Sequence, residues 1–337
     1  MKEPPWQARR GELSFLYAEW YSDYRNNPDQ RSGLATCLRA GRNADVKPPP
    51  FIYLCPRTLA EAAEAAGRYA DDGKLLAGGQ SLMPVLNFRL ANPTVLIDLN
   101  RVEGLSGIRR EADGGLAIRA LTRHRAVERS DDIREACPLL SAAMPHIGHV
   151  QIRNRGTIGG SLSHADPAAE LPAVMLACDA TFVASSFAGE RTIAADRFFQ
   201  GVFTTALEPG DILTEIRVPP WPRGRRFGFY EVTRRHGDFA LAGAAVWIDG
   251  DDATCTAAKI VLFGVGDTPV RAKRAEQHLS GQAATPARIR ESAAIAATEL
   301  TPGSDIHASA EYRLEVGAVV VRRALEQAFG RGNGAHA

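Results

Sequence analysis

The sequence predicts an α+β fold with two domains, and three observations support this prediction. The chain has 337 residues, which is enough for two hydrophobic cores. Apolar runs of strand length alternate with helical patterns in its first part, whereas three strand patterns and then two helices follow in its second part. Proline-rich segments at 48–50 and 219–222 mark the boundaries. We therefore predict an N-terminal extension over 1–45, a first domain over 46–222 and a second over 223–330.

The first predicted helix has the clearest start signal. Thr58 is expected to be its N-cap, Glu61 stands three residues later, and apolar residues recur at helical spacing to residue 70. Ser81 is expected to cap a second helix that runs to Leu90. The other elements predicted for this domain are strands over 74–77, 95–99, 115–120, 181–184 and 212–218, helices over 138–147 and 166–176, and a polar connection over 148–156.

The second domain is predicted to be a three-stranded antiparallel sheet covered by helices. Its strand patterns alternate or are continuously apolar, as strands of such a sheet are. The predicted strands span 226–233, 242–248 and 258–263, and the predicted helices span 286–300 and 312–329.

Composition excludes several classes of function. The formal net charge is +1, so no charge excess indicates nucleic acid or an anionic membrane as a partner. No apolar run reaches the length of a membrane span and no signal-peptide pattern stands at the N-terminus, so we expect a cytoplasmic protein without a membrane span. The five cysteines are scattered without a C-x-x-C pair, so we expect no metal site in this chain.

Two glycine pairs are the strongest candidates for a site. They lie in the stretches AGGQS, residues 77–81, and TIGGS, residues 157–161. Paired glycines allow backbone amides to converge on an anion, since no Cβ blocks the approach. The chain has neither a G-x-G-x-x-G after a strand nor a G-x-x-x-x-G-K-[ST] motif, so neither a Rossmann nor a P-loop site is indicated. The two pairs could hold one diphosphate, and a pair of tight turns is the alternative.

No catalytic group of the chain's own is evident. His146, His149 and His164 lie near the second glycine pair without the spacing of metal ligands, and no nucleophile stands beside a base. The residues therefore indicate a chain that binds a cofactor and leaves the chemistry to it.

Long segments around the glycine pairs resemble a known family. They are KLLAGGQSLMPVLNFRL at 74–90, IGHVQIRNRGTIGGSLSHADPAAELP at 147–172, DILTEIRVPP at 211–220 and RRHGDFALAGAAV at 234–246. This combination is similar to the FAD-binding medium subunit of molybdenum hydroxylases, the family of aerobic carbon monoxide dehydrogenase and xanthine dehydrogenase. The resemblance covers residue 47 to the C-terminus. It implies a flavin-binding fold of the p-cresol methylhydroxylase and vanillyl-alcohol oxidase type, made of two α/β subdomains, and then the C-terminal α+β domain of CO dehydrogenase flavoproteins.

The resemblance also implies a set of residues that bind FAD without a covalent bond. Two glycine loops would hold the diphosphate, and a valine at Gly79 or Gly160 is then expected to displace FAD and to leave the fold intact. The implied residues are Lys74, Leu75, Leu76, Ala77, Gly78, Gly79, Gln80, Ser81, Leu82, Ile147, Thr157, Ile158, Gly159, Gly160, Ser161, Glu170 and Leu213.

The chain departs from the family pattern at two places. Glu170 stands where the family often has an aspartate that contacts FAD. A lysine that often precedes the Arg-Arg pair is missing, and Tyr230, Glu231 and Val232 occupy that segment. Family members also commonly begin near the Lys47-Pro48 equivalent, so we expect the natural start at Val46 and regard residues 1–45 as an extension added by a misassigned start.

By this resemblance the chain would be an electron-transfer subunit. A large subunit would carry the molybdenum cofactor, a small subunit would carry two [2Fe–2S] clusters, and the complex would be a dimer of heterotrimers. FAD would pass electrons from the clusters to an external acceptor. Two alternatives remain at this stage: a flavin oxidoreductase that acts alone on its own substrate, and an assembly protein that has lost FAD.

Overall fold

The protein, described here as a computed structural model over residues 47–251 and 254–330, is an α+β molecule with three main sheets. The predicted extension and the predicted start at Val46 lie outside the described residues. Within them, no helix is both long enough and apolar enough to cross a membrane.

A small parallel sheet begins the first domain. Its strands are β1 (Ile52–Leu54), β2 (Gly73–Leu76) and β3 (Val95–Asp98), and β3 lies in the middle, parallel to both neighbours. Helix α1 (Leu59–Arg68) connects β1 to β2 and buries four of its five alanines against this sheet. The predicted capping box is confirmed, because Thr58 Oγ1 accepts from the Glu61 amide while the Glu61 carboxylate accepts from the Thr58 amide.

Helix α2 (Leu82–Asn87) is shorter than predicted. Ser81 occupies its N-cap position, but the Ser81 side chain forms no capping hydrogen bond. The predicted end at Leu90 is wrong, because Arg89 adopts a φ of 56° and takes the chain out of the helical path.

A five-stranded antiparallel sheet forms the second part of this domain, in the order β4-β5-β10-β6-β7. Its strands are β4 (Ile108–Arg110), β5 (Leu116–Arg119), β6 (Thr181–Ser186), β7 (Gly189–Ala194) and β10 (Ile212–Val218). The three inner strands match the predicted ones. The two edge strands were not predicted, because most of their residues are polar and exposed and show no apolar pattern.

Six short helices lie between β5 and β6. They are α3 (His124–Arg129), α4 (Asp131–Ala136), α5 (Pro138–Ala143), α6 (Val150–Arg155), α7 (Ile158–His164) and α8 (Glu170–Ala177). The predicted helix over 138–147 is α5 followed by a 3₁₀ turn, Met144–His146. The connection predicted over 148–156 is wrong, since most of it is helix α6.

Helix α8 starts four residues later than predicted. Asp166 Oδ1 accepts from the Ala168 amide at 2.9 Å, and the Asp166 carbonyl accepts from the Ala169 amide at 3.0 Å, so the chain forms a turn before the helix. All eight residues of α8 are buried. Helix α9 (Ala195–Phe198) and the small hairpin of β8 (Phe199–Gly201) and β9 (Thr204–Thr205) then lead to β10.

The second domain has one more strand than predicted. Its antiparallel sheet is β11 (Arg226–Thr233), β12 (Ala240–Gly250), β13 (Cys255–Phe263) and the two-residue β14 (Val270–Arg271), in that order. Helices α10 (Lys273–Leu279), α11 (Pro286–Ala297) and α12 (Ala310–Ala328) cover it. The two predicted C-terminal helices correspond to α11 and α12, whereas β14 and α10 carry too few apolar positions to show a period.

The two domains share a core. Helix α8 of the first domain packs against β12 and β13 of the second. At this junction the Trp247 indole Nε1 donates to the Ala177 carbonyl at 2.7 Å, and the Gly264 amide donates to the Pro167 carbonyl at 2.8 Å. Residues of both domains therefore belong to one apolar cluster.

The contact between β11 and α12 yields a testable prediction. A Cβ on Gly228 would clash with the Ala324 carbonyl oxygen and lie 2.8 Å from its carbon. We expect Gly228→Ala to lower the free energy of unfolding by about 2 kcal/mol or more, because helix and strand must separate. Urea unfolding of the purified chain measures this change.

Gly67→Ala is the matched control for Gly228→Ala. No atom lies within 4 Å of a Cβ at Gly67, which is exposed in α1. This substitution should stabilise the protein by about 0.5–1 kcal/mol through helix propensity. Equal unfolding midpoints for the two variants would contradict the close packing described for Gly228.

Candidate functional site

The structure brings the two glycine pairs into direct contact. We call residues 77–82 the first glycine loop and residues 156–161 the second glycine loop. A Cβ on Gly78 would clash with the Arg155 carbonyl oxygen and lie 2.8 Å from Gly156 Cα. From the other side, a Cβ on Gly160 would lie 3.3 Å from Ala77 Cβ. The two backbones can approach this closely only because Gly78 has no side chain.

The first glycine loop follows β2 and leaves its amides free. Gly79 has a φ of 74°, a conformation that favours glycine. Among the residues that the structure describes, no group accepts a hydrogen bond from the amides of residues 78–81. Buried or half-buried amides are normally paired, so this row of free donors is suited to an anionic ligand.

The second glycine loop uses its amides internally. The amides of Ile158 and Gly159 donate to the carbonyls of Thr122 and Ala120, at 3.0 and 2.8 Å. The Gly160 amide donates to Thr157 Oγ1 at 3.1 Å and caps α7. The two loops are therefore not equivalent, and the second presents no row of free amides.

This geometry corrects the expectation for Gly160→Val. A Cβ at Gly160 would lie 2.6 Å from Thr157 Oγ1, so valine would break the cap of α7 as well as crowd the first loop. The substitution would change the local fold. Gly79→Val would also be strained, because of the positive φ.

Each glycine loop also carries one serine hydroxyl. Ser81 ends the first loop's turn and Ser161 lies in the first turn of α7, and both are half-buried. Neither hydroxyl forms a hydrogen bond with another group of the described chain. They are therefore available to a ligand at no cost to the fold.

A polar network that we did not predict from the sequence ties the first glycine loop to the residue before the second. Asn100 Nδ2 donates to the Ala77 carbonyl at 2.8 Å, and Arg123 Nη2 donates to Asn100 Oδ1 at 2.6 Å. Arg123 also donates from Nη1 to the Arg155 carbonyl. Asp98 Oδ1 accepts a hydrogen bond from the backbone amide of Asn100 at 2.9 Å. A signal was present, because Asp98 and Asn100 stand at the carboxyl end of a predicted strand, where ligands bind in parallel sheets.

A buried arginine holds the turn before the second glycine loop. Arg153 in α6 donates from Nη1 to the carbonyls of Ile147 and Gly148, at 3.1 and 2.8 Å. Its Nε donates to Glu128 Oε2 at 3.0 Å, so its charge is paired. The predicted site residue Ile147 is thereby fixed in a buried position.

The buried His124 ring packs against Gly156 at the start of the second glycine loop. His124 is the first residue of α3, and a Cβ on Gly156 would lie 2.9 Å from its Nδ1. Neither ring nitrogen has a hydrogen-bond partner among the described residues. Burial lowers the pKa of His124 to about 4, so the imidazole is neutral near pH 7.

Two titratable side chains, His146 and Glu231, meet where the two domains join, and a third, Glu170, is buried in α8. His146 Nδ1 lies 3.1 Å from Glu231 Oε1, and the His146 ring packs on Phe229 with centroids 4.9 Å apart. Glu170, the first residue of α8, is only 5% exposed. Burial first, and then the charge of Glu231, raise the pKa of Glu170 to about 8.

The remaining predicted site residues lie at different depths. Leu75 and Leu76 are half-buried in β2, Leu82 begins α2, and the exposed Gln80 donates to the Gly78 carbonyl. Leu213 is buried in β10, which packs against α7 next to the second loop. Lys74 is exposed and makes no hydrogen bond or ion pair with either loop in the part of the chain that is described.

Two family models match almost all of the described chain. Residues 47–221 match the FAD binding domain in molybdopterin dehydrogenase, and residues 228–328 match the CO dehydrogenase flavoprotein C-terminal domain. The predicted cofactor, FAD, is thus confirmed at the level of the domain.

Similar proteins of known function agree with these models. The chain is 43% identical over 287 residues to the 6-hydroxypseudooxynicotine dehydrogenase complex subunit alpha of Paenarthrobacter nicotinovorans. This alignment covers 85% of this chain and 97% of that relative. It is 37% identical over 284 residues to the carbon monoxide dehydrogenase medium chain of Hydrogenophaga pseudoflava, over 84% of this chain and 99% of the relative.

A solved structure extends the agreement to the fold. A carbon monoxide dehydrogenase from Hydrogenophaga pseudoflava that lacks the Mo-pyranopterin moiety aligns with a TM-score of 0.82 at 38% identity, over 85% of this chain and 99% of the other. The predicted fold class and the oxidoreductase assignment are confirmed. The chain belongs to the FAD-binding medium subunits of molybdenum hydroxylases.

Proposed function

We propose that this chain is the FAD-carrying electron-transfer subunit of a molybdenum-dependent hydroxylase. It would take electrons from [2Fe–2S] clusters in a partner subunit and release them to an external acceptor. The observation that supports this role is the row of free amides at residues 78–81, together with the unpaired hydroxyls that Ser81 and Ser161 contribute from the two loops. Such donors, held rigidly at the contact of two loops, suit a diphosphate.

The residues divide the work of binding FAD among them. The first glycine loop would bind the diphosphate with its amides, and Ser81 and Ser161 would add hydroxyl donors. The buried Ile147 and Leu213 would offer apolar contact to the flavin, and Glu170 would face it with its carboxyl group. Bound FAD would supply the redox chemistry, and the chain would orient it.

The partners that we propose are a large subunit with the molybdenum cofactor and a small subunit with two [2Fe–2S] clusters, assembled as a dimer of heterotrimers. Similar proteins carry names that place them in complexes, such as "complex subunit alpha" and "medium chain". The cytoplasm is the proposed compartment. The four cysteines within the described residues are free thiols, as is usual for proteins of a reducing compartment.

FAD binding separates this proposal from the assembly-protein alternative, because a chain that has lost FAD stays colourless after reconstitution. The second alternative is a flavin oxidoreductase that works alone. It would work without partner subunits, whereas the similar proteins named above are, by name, a complex subunit and a medium chain. We therefore favour the electron-transfer subunit.

The two serine hydroxyls provide a clean test of the site. We expect Ser81→Ala and Ser161→Ala each to raise the Kd for FAD about tenfold, because each removes a hydrogen bond to a charged group. The melting temperature without FAD should not change, since neither hydroxyl is bonded within the protein. Isothermal titration calorimetry measures the Kd. Ser106→Ala, at an exposed position outside the loops, is the matched control and should bind FAD like the unaltered chain.

The subunit composition of the native complex tests the proposed partners. Affinity purification of the tagged full chain from its own host should recover two further subunits, with molybdenum, iron and FAD in the ratio 1:4:1 that the proposed cofactor set implies. Elemental analysis and flavin absorbance give this ratio. A yellow preparation without molybdenum and iron would instead support the flavoprotein that works alone.

A further inference from the structure

Two arginine side chains without a carboxylate partner lie at the contact between the glycine loops. We call Arg123 and Arg155 the arginine pair. The Arg123 side chain is half-buried, whereas Arg155 is exposed and close enough for its charge to act on Arg123. In the part of the chain that the structure describes, neither guanidinium forms an ion pair. Arginine stays charged at every ordinary pH, so both positive charges are present.

The hydrogen bonds of Arg123 hold its guanidinium in place without neutralising it. Its Nη2 donates to Asn100 Oδ1 at 2.6 Å, and its Nη1 donates to the Arg155 carbonyl. Both acceptors are neutral amide oxygens, so these bonds orient the charge and do not cancel it. The Arg155 side chain donates no hydrogen bond to the described residues. Its charge is therefore also uncancelled.

Two independent paths bring the Arg123 guanidinium close to Gly78. On the first path, Asn100 Nδ2 donates to the Ala77 carbonyl at 2.8 Å, and the Gly78 amide belongs to that same peptide group. The peptide is trans, so this N–H points away from Asn100. On the second path, the Arg155 carbonyl lies where a Cβ of Gly78 would stand. Two contacts and one bond length thus place the guanidinium within about 7 Å of Gly78 Cα.

One carboxylate offsets part of this positive charge. Asp98 accepts hydrogen bonds from the Tyr53 hydroxyl and from the backbone and side-chain nitrogens of Asn100. These donors are neutral, so the arginine pair faces a single negative charge and one positive charge stays unbalanced. The pKa of Arg123 reflects this: burial and then the charge of Arg155 lower it, and the charge of Asp98 does not reverse the shift.

We propose that the arginine pair supplies the counter-charge for the diphosphate of the bound cofactor. This inference rests on the proposed function, because it needs a diphosphate at the free amides of residues 78–81. Such a ligand would lie about one Debye length from Arg123, roughly 8–10 Å at ordinary ionic strength, so screening by salt is incomplete. Arg123 would also act through Asn100, since a cation bonded to one end of an amide chain strengthens the donor at the other end, here the Gly78 N–H.

Arg155→Gln tests the charge separately from the hydrogen bonds. This substitution removes one positive charge and no side-chain hydrogen bond of the described chain. We expect the Kd of the full chain for FAD to rise about fivefold at low ionic strength. The difference should shrink between about 10 mM and about 100 mM KCl, because the Debye length falls from about 30 to about 10 Å. A purely structural defect would not depend on salt. Isothermal titration calorimetry measures each Kd.

The control for Arg155→Gln is Arg290→Gln. Arg290 is an exposed residue of α11 in the second domain, and it has no ion pair among the described residues. Its substitution changes the net charge of the chain by the same amount, yet it should leave the Kd for FAD unchanged at both salt concentrations. The melting temperature without FAD should be the same for both variants and the unaltered chain.

Arg123 provides a second, independent comparison. Arg123→Gln should raise the Kd for FAD at least about tenfold, because it removes the nearer charge together with the bonds to Asn100 and the Arg155 carbonyl. Arg123→Lys keeps the charge and loses the planar fork. It should bind FAD at least about threefold more tightly than Arg123→Gln at low salt.

The outcomes separate this inference from the proposed function. A full chain that takes up no FAD would overturn both. If FAD binds, but Arg155→Gln binds it like the unaltered chain at low salt, the counter-charge alone is wrong. Equal Kd values for Arg123→Lys and Arg123→Gln would likewise overturn the counter-charge, because only the hydrogen-bond geometry of Arg123 would then matter.

Discussion

The candidate site depends on one close contact, between the backbone of the first glycine loop and the backbone at Arg155 and Gly156. Gly78 lies against the Arg155 carbonyl and Gly156, where no side chain could fit, and this contact joins the parallel sheet to the helices of the antiparallel half. Asn100 and Arg123 then fix the carbonyl groups on both sides of it. The free amides of residues 78–81 owe their positions to this arrangement. Because the carbonyls are already bonded, the loop cannot turn to satisfy its own amides.

Both glycine loops contain a glycine pair, and they differ in how their backbone amides are bonded. The second is a finished structure, with every amide of residues 158–161 bonded inside the protein. The first leaves the amides of residues 78–81 without an acceptor in the described chain, as the proposed diphosphate site requires. This difference would favour ligand binding, because the second glycine loop is held rigid by its own hydrogen bonds and the first offers free donors. Preorganised donors need no rearrangement when the ligand arrives, so little binding energy is lost in ordering them.

Local patterns in the sequence predicted those parts of the fold that depend on local physics. The capping box at Thr58 and Glu61 and the inner strands of the antiparallel sheet follow from side-chain chemistry and apolar runs. Helix α6 was not predicted because its burial does not follow the polarity of its residues: the apolar Val150 is exposed, whereas the charged Arg153 is buried. In the candidate site, the two glycine pairs could be identified from the sequence. The contact of His146 with Glu231 was not, because it joins residues 85 positions apart through the packing of two domains.

Helix α8 also bears on how such a protein can evolve. It belongs to the first domain, yet all eight of its residues are buried, and strands of the second domain form part of that enclosure. The Trp247 indole and the Gly264 amide bond directly to the segments at its two ends. Recombination at the proline-rich boundary would pair this helix with a foreign sheet and leave those donors unmatched. The two domains are therefore expected to be inherited together, and substitutions in α8 to be accompanied by changes in β12 and β13.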